Sequence, residues 1–128
     1  MSDIKNKYKI LLVEDNKLNQ MIISNKLKSY KHEIDIANNG EEGVIMHAKK
    51  YYDFILMDIM MPVMDGYVAT KNIRNSENNS DIPIIAVTAN VLDHDQKRCL
   101  DAGMNAYLSK PFDFNELKTI LASLSFNI

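Results

Sequence analysis

Four apolar stretches of this chain each end in a polar side chain suited to chemistry on a phosphoryl group. Lys9–Val13 runs into Glu14-Asp15, Phe54–Met57 into Asp58, Ile82–Val87 into Thr88, and Ala106–Ser109 into Lys110-Pro111. If all four are parallel strands of one sheet, these groups meet at its carboxyl edge, where open α/β sheets bind ligands. Asp58 then stands as a nucleophile, since a carboxylate can attack phosphorus to give a mixed anhydride. Thr88 and Lys110 suit the oxygens of the transferred group, whose charge must be held in place during in-line displacement. Ala89, directly after Thr88, is small and leaves room for an incoming donor.

Asp15 and Asp58, from adjacent strand ends, are expected a few ångströms apart with Glu14 nearby. Like charges that close repel by roughly 1–4 kcal/mol per pair, so the cluster calls for a cation or a shared proton. Oxygen donors without His or Cys point to Mg2+ rather than Zn2+. Asp15 alone reads equally well as a helix cap or solvated loop acid. That reading leaves unexplained why Asp58 and Lys110 also end strands.

The elements that must position these groups alternate strand and helix from end to end. Lys9–Glu14 lacks period-2 alternation, as a strand covered on both faces should. Asn16 is placed as the N-cap of a helix to about Tyr30, with Ile23, Leu27 and Tyr30 at helical spacing. Glu33–Ala37 alternates and reads as an edge strand, and Asn39 with Glu42 forms a capping-box pattern for a helix to about Lys50. Phe54–Asp58 is the most apolar strand and is expected at the centre. Pro62 and Asp65-Gly66 make Ile59–Gly66 a loop, with Asp65 capping a helix over about Tyr67–Asn75. Polar Ser76–Asp81 is the least structured stretch. Pro83 opens a strand over Ile84–Val87, and a helix from about Asp93 to Ala102 ends at Gly103 in a left-handed conformation. The strand Ala106–Ser109 precedes Asp113, which caps a last helix carrying Leu117, Ile120, Leu121 and Leu124 in one stripe. Five strands interleaved with five helices predict a parallel sheet with right-handed crossovers and helices on both faces.

At 128 residues, 46% hydrophobic and 25% charged, the chain reads as one folded domain. Its net charge of −2 provides no basic face for nucleic acid. No apolar run approaches the roughly 18 residues of a membrane span, and Met1–Lys7 has no signal-peptide core. A single cysteine, Cys99, excludes an internal disulfide and fits a reducing compartment. The chain is therefore expected to be cytoplasmic, without nucleic-acid or direct membrane contact, as a single domain over 1–128 with a flexible start at 1–7. His32, His47 and His94 show no ligand spacing and are expected at the surface. Cys99 and Met57 are expected in the core, with Met60, Met61 and Met64 lining a mobile loop.

The stretches Leu12-Val-Glu-Asp-Asn16 with Asn19, Met57-Asp-Ile-Met-Met-Pro-Val-Met-Asp-Gly66, Ala86-Val-Thr-Ala-Asn90 and Ala102-Gly-Met-Asn-Ala-Tyr-Leu-Ser-Lys-Pro111 together resemble the receiver domain of two-component response regulators. The likeness is to the type found in hybrid sensor histidine kinases, and it covers about Lys9 to Leu124. The resemblance implies a flavodoxin-like (βα)5 fold and a phosphoacceptor in a phosphorelay, not an enzyme acting on a separate substrate. It implies that Asp58 takes the phosphoryl group and that Asp15 ligates Mg2+ directly. Glu14, where many members carry aspartate, acts mostly through water, and Met60 contributes its backbone carbonyl. Thr88 is implied to bond a phosphoryl oxygen, Lys110 to pair with Asp58 or its phosphate, and Tyr107 to turn inward as Thr88 moves. A cis Lys110–Pro111 bond and a rate-tuning role for Met60 and Asn90 follow from the same likeness. So does a partner that is a histidine kinase or histidine phosphotransfer protein, docking on the first helix around Asn19–Ser24, with room for a phosphorylation-dependent dimer.

Other chemistries fit less well. A phosphohydrolase wants a general acid close behind its nucleophile, but Ile59 and Met60 follow Asp58. A flavin site wants a Gly- or Ser/Thr-rich loop at the first helix, where this chain has Glu14-Asp-Asn-Lys17. A constitutive interaction module has no use for so complete a set of reactive groups.

Overall fold

The computed structural model describes residues 7–89 and 93–127. The expected flexible start before Lys7, the Asn90 position and the side chain of His94 lie outside the described residues. The strands are β1 (Lys9–Val13), β2 (Glu33–Ala37), β3 (Phe54–Asp58), β4 (Ile84–Thr88) and β5 (Ala106–Ser109). The helices are α1 (Lys17–Ser29), α2 (Gly40–Lys49), α3 (Gly66–Arg74), α4 (Asp93–Ala102) and α5 (Phe114–Ser123). All pairings are parallel, and the strand order is β2-β1-β3-β4-β5. The expected edge strand is at the edge and the expected central strand at the centre.

Successive strand residues feed opposite cores, which is why the inner strands are apolar throughout. Leu11, Val13, Ile55, Met57, Ile84 and Ala86 face a core with Tyr67, Ala69, Ile73 and Cys99. Ile10, Leu12, Phe54, Leu56, Ile85 and Val87 face a second core built with Ile23, Leu27, Leu117 and Leu121. Both cores close without a disulfide, and Cys99 is buried as a packed thiol.

Local chemistry sets the helix starts. The side chains of Asn16, Asn39, Asp65 and Asp113 accept from the backbone N–H groups of Asn19, Glu42, Val68 and Asn115. One expectation changes here. Glu42 does not close the capping box on Asn39; its Oε1 accepts from the backbone N–H and side-chain amide of Asn38, at 3.0 and 3.1 Å. At the end of α4, Gly103 has φ +107 and the Met104 N–H donates to the Cys99 carbonyl at 3.0 Å.

The histidines depart from expectation. His32 and His47 are 4% and 1% exposed, because each has a distant backbone partner that composition cannot reveal. His32 Nδ1 accepts from the Tyr8 N–H at 3.1 Å, and its ring stacks on Tyr8. Burial lowers its pKa. His47 Nε2 lies 3.1 Å from the Asn79 carbonyl, tying the Asn-rich stretch after α3 to α2.

Candidate functional site

The chain leaves β1 toward β2 on one side and returns to β3 on the other, so a crevice opens where β1 and β3 end. Val13 pairs with Met57, which brings the residues just past β1 beside the last residue of β3. Glu14, Asp15 and Asp58 converge there, with one oxygen of each within 4.8 Å of the others. Lys110, just past β5, reaches across to the same point. Its Nζ is 3.2 Å from Glu14 Oε1 and 3.3 Å from Asp58 Oδ1. Its backbone N–H donates to the Thr88 carbonyl at 2.8 Å, which fixes the end of β5 against the end of β4. The Lys110–Pro111 peptide is cis. Thr88 and Asp58 are both buried, at 5% and 4% exposure.

The loop after β3 folds back closely on the end of that strand. The Gly66 N–H donates to the Ile59 carbonyl at 2.9 Å. A side chain at Gly66 would collide with the Asp58 carbonyl, so the start of α3 approaches the Asp58 backbone as only glycine permits. The expected loop methionines divide by depth: the Met60 side chain is 77% exposed, whereas Met61 and Met64 pack partly against the core. Ala89 is exposed at the mouth of the site.

Three carboxylates against one ammonium leave the ionised cluster with two surplus negative charges. At 4.8 Å, two unit charges repel by roughly 1 kcal/mol in water and roughly 3 kcal/mol at an effective dielectric of 20. Burial first, then the Glu14 charge, pushes the Asp58 carboxyl up to about 7, with Lys110 opposing. Burial works against the Lys110 ammonium, but Asp58 and Glu14 outweigh it and raise its pKa. Glu14 is 1% exposed and its Oε1 receives no well-aligned hydrogen bond, although Lys110 lies close. A hard dication fits this donor set in charge, ligand type and the under-satisfied oxygen.

Tyr107, on β5, packs partly against the core, and its hydroxyl donates to Gln96 Oε1 at 2.7 Å. Sequence reasoning missed Gln96, because nothing local links it to a tyrosine on the next strand. It also missed Gln20, which is 6% exposed on α1. There a signal existed: Gln20 shares the buried face of Ile23 and Leu27, so a polar residue occupies a core-facing position and requires partners.

Residues 10–122 match the family model of the response regulator receiver domain. The chain is 42% identical over 151 residues to "Probable histidine kinase 1" of Oryza sativa subsp. indica, covering 94% of this chain and 16% of that protein. It is 37% identical over 113 residues to the sensor histidine kinase RcsC of Salmonella typhi, covering 88% of this chain and 12% of that protein. The chain thus spans a small part of these relatives. Among solved structures, one match is the receiver domain of sensor histidine kinase PA1611 from Pseudomonas aeruginosa PAO1, which has a magnesium ion coordinated in its active-site cleft. It matches with TM-score 0.84 and 47% identity, covering 92% of this chain and 97% of that one. A chain from the Saccharomyces cerevisiae complex of the histidine phosphotransfer protein Ypd1 with the receiver domain of its downstream response regulator Ssk1 matches with TM-score 0.84 and 32% identity. That match covers 92% of this chain and 89% of the other.

Proposed function

Because the chain belongs to the response regulator receiver domains of two-component phosphorelays, we propose that Asp58 is its phosphoacceptor and that a phosphohistidine is the donor. The observation that carries this reading is the convergence of Asp58, two further carboxylates and the Lys110 ammonium on one crevice. The Asp58 carboxylate attacks phosphorus in line, an O–P bond forms, and the N–P bond to the donor imidazole breaks. Lys110 follows the charge from the carboxylate onto a phosphoryl oxygen, and the Thr88 hydroxyl donates to another. Asp15, Asp58, the Met60 backbone carbonyl and Glu14 acting through water hold Mg2+ in this reading. The ion, when bound, supplies positive charge that neutralises a phosphoryl oxygen beside the nucleophile. The exposure of the Met60 side chain is compatible with a contribution from its backbone alone.

The new phosphate adds roughly −1.5 to −2 charge at Asp58. Thr88 moves toward it, Tyr107 gives up Gln96 and turns inward, and the α4–β5–α5 surface changes as a population shift between two states. The donor docks on α1, where Leu18, Met21 and Ile22 are exposed. Beside them a groove of about 850 Å3 runs between α1 and the start of α5. We place the domain in the cytoplasm as one receiver unit over 1–128, partnered by a histidine kinase or histidine phosphotransfer protein. Intact-mass analysis with an acyl phosphate donor and Mg2+ tests the reading. Wild type should gain one phosphoryl group and Asp58→Asn none. Equal gain by both overturns the site assignment, and no gain with any donor favours a constitutive interaction module.

A further inference from the structure

We infer that Gln20, through a relay to Asn38 and Glu42, is the positioning residue for the acidic pair Glu14-Asp15. This rests on the reading of that pair as the metal-holding acids. The peptide joining Glu14 to Asp15 carries the orientation of both side chains, and both of its flanks are tied down. On one side, the Glu14 N–H donates to the Ala37 carbonyl at 3.0 Å, extending the β1–β2 ladder by one residue. On the other, the Gln20 side-chain amide donates to the Glu14 carbonyl at 2.6 Å. That carbonyl belongs to the very peptide that launches Asp15 into the crevice.

Gln20 is itself held from behind. Its amide also donates to Asn38 Oδ1 at 2.9 Å, and Lys17 Nζ donates to the same oxygen at 2.7 Å. The Asn38 side-chain amide and backbone N–H both donate to Glu42 Oε1. Each amide therefore has its polarity fixed by its neighbours, and the series runs from α2 through the loop after β2 to the acidic turn. Glu42 spends its carboxylate on this series instead of on its own helix cap. The first residue of α2 is in turn anchored to the loop after β3, because the Gly40 N–H donates to the Met64 carbonyl at 3.1 Å. Gln20 thus couples the carboxylates of the β1 turn to the segment that follows Asp58 and Met60.

Residues one step behind a metal's ligands fix ligand orientation, and their loss typically weakens metal binding by about 10-fold or more. A buried glutamine that merely filled space would leave affinity for the ion unchanged when replaced by an apolar side chain of similar length. Gln20→Met makes that distinction, since it keeps the unbranched volume and removes the donor. Asn38→Ala tests the relay from its other end while leaving Gln20 in place. Leu27→Val is the control: it weakens the same helix from a buried position away from the acidic turn.

The experiment is an NMR titration of each unphosphorylated chain with Mg2+ alone, paired with urea unfolding in chelator to rank stability. Gln20→Met is expected to raise the Mg2+ Kd about 10-fold and Asn38→Ala by a smaller factor. Leu27→Val should leave the Kd within about twofold even where its unfolding midpoint falls as far. A Gln20→Met or Asn38→Ala shift that Leu27→Val reproduces at equal stability loss overturns the inference. Wild-type binding with an unchanged Kd in Gln20→Met and Asn38→Ala also overturns it, and leaves the metal reading standing. Failure of the wild type to bind Mg2+ removes the metal reading and this inference with it.

Discussion

Replacing Asp58 with asparagine should stabilise the metal-free fold, and by an amount that depends on pH. Burial and the neighbouring Glu14 move the Asp58 carboxyl from 3.8 to about 7 in the folded chain. An acid whose folded pKa lies above its unfolded one holds an extra proton in the fold between those two values. Its contribution to stability is therefore lost progressively as pH rises through that window, and the penalty is complete above about 7. The full span is worth roughly 4 kcal/mol. Asparagine carries no such penalty at any pH, while Lys110 retains Glu14 as a partner. Asp58→Asn should exceed wild type by about 2 kcal/mol at pH 5 and about 4 kcal/mol at pH 8 in chelator. The chain has no tryptophan, so urea unfolding followed by far-UV circular dichroism is the suitable assay. Saturating Mg2+ at pH 8 should narrow the gap, since binding to the folded wild type adds stability by mass action. An Asp58→Asn chain no more stable than wild type at pH 8, or an advantage that does not shrink toward pH 5, would refute this electrostatic reasoning.

Two further outcomes follow from single residues. Val63 has φ +71, is 74% exposed, and sits in a tight turn in which the Met64 N–H donates to the Pro62 carbonyl at 2.8 Å. A β-branched side chain is strained there. Val63→Asn should therefore raise stability by about 1 kcal/mol, and a lower urea midpoint would contradict the strain. Gln96→Leu removes the acceptor of the Tyr107 hydroxyl. With a net hydrogen-bond worth of about 1 kcal/mol, it should speed phosphorylation by an acyl phosphate severalfold, as should Tyr107→Phe. Unchanged rates in both would remove the Gln96 bond as a brake on the proposed movement of Tyr107.

Much of this architecture was legible because it is local. Asn16, Asn39, Asp65 and Asp113 announce their helices through bonds spanning two or three residues, and Gly103 announces an ending. Strand ends with chemically useful residues were legible because a parallel sheet brings every strand's carboxyl end to one edge. Hidden from the sequence were partners separated by long stretches of chain. His32 is buried because Tyr8 donates to it, His47 because Asn79 lies against it, and Tyr107 is held by Gln96. Glu42 reaches Asn38 instead of Asn39 because Asn38 must also receive Gln20 and Lys17. For the two histidines a distant bond overrode the expected surface position, and for Glu42 a neighbour held by distant groups displaced the expected cap.

The most direct measurement is the chemical location of the transferred group. Treating the phosphorylated chain with borohydride reduces an aspartyl phosphate to homoserine, and peptide mass spectrometry reads the modified position. Homoserine is expected at position 58 alone, formed only when Mg2+ is present. Reduction at Asp15 or Glu14, or phosphate retained on a histidine, would contradict it.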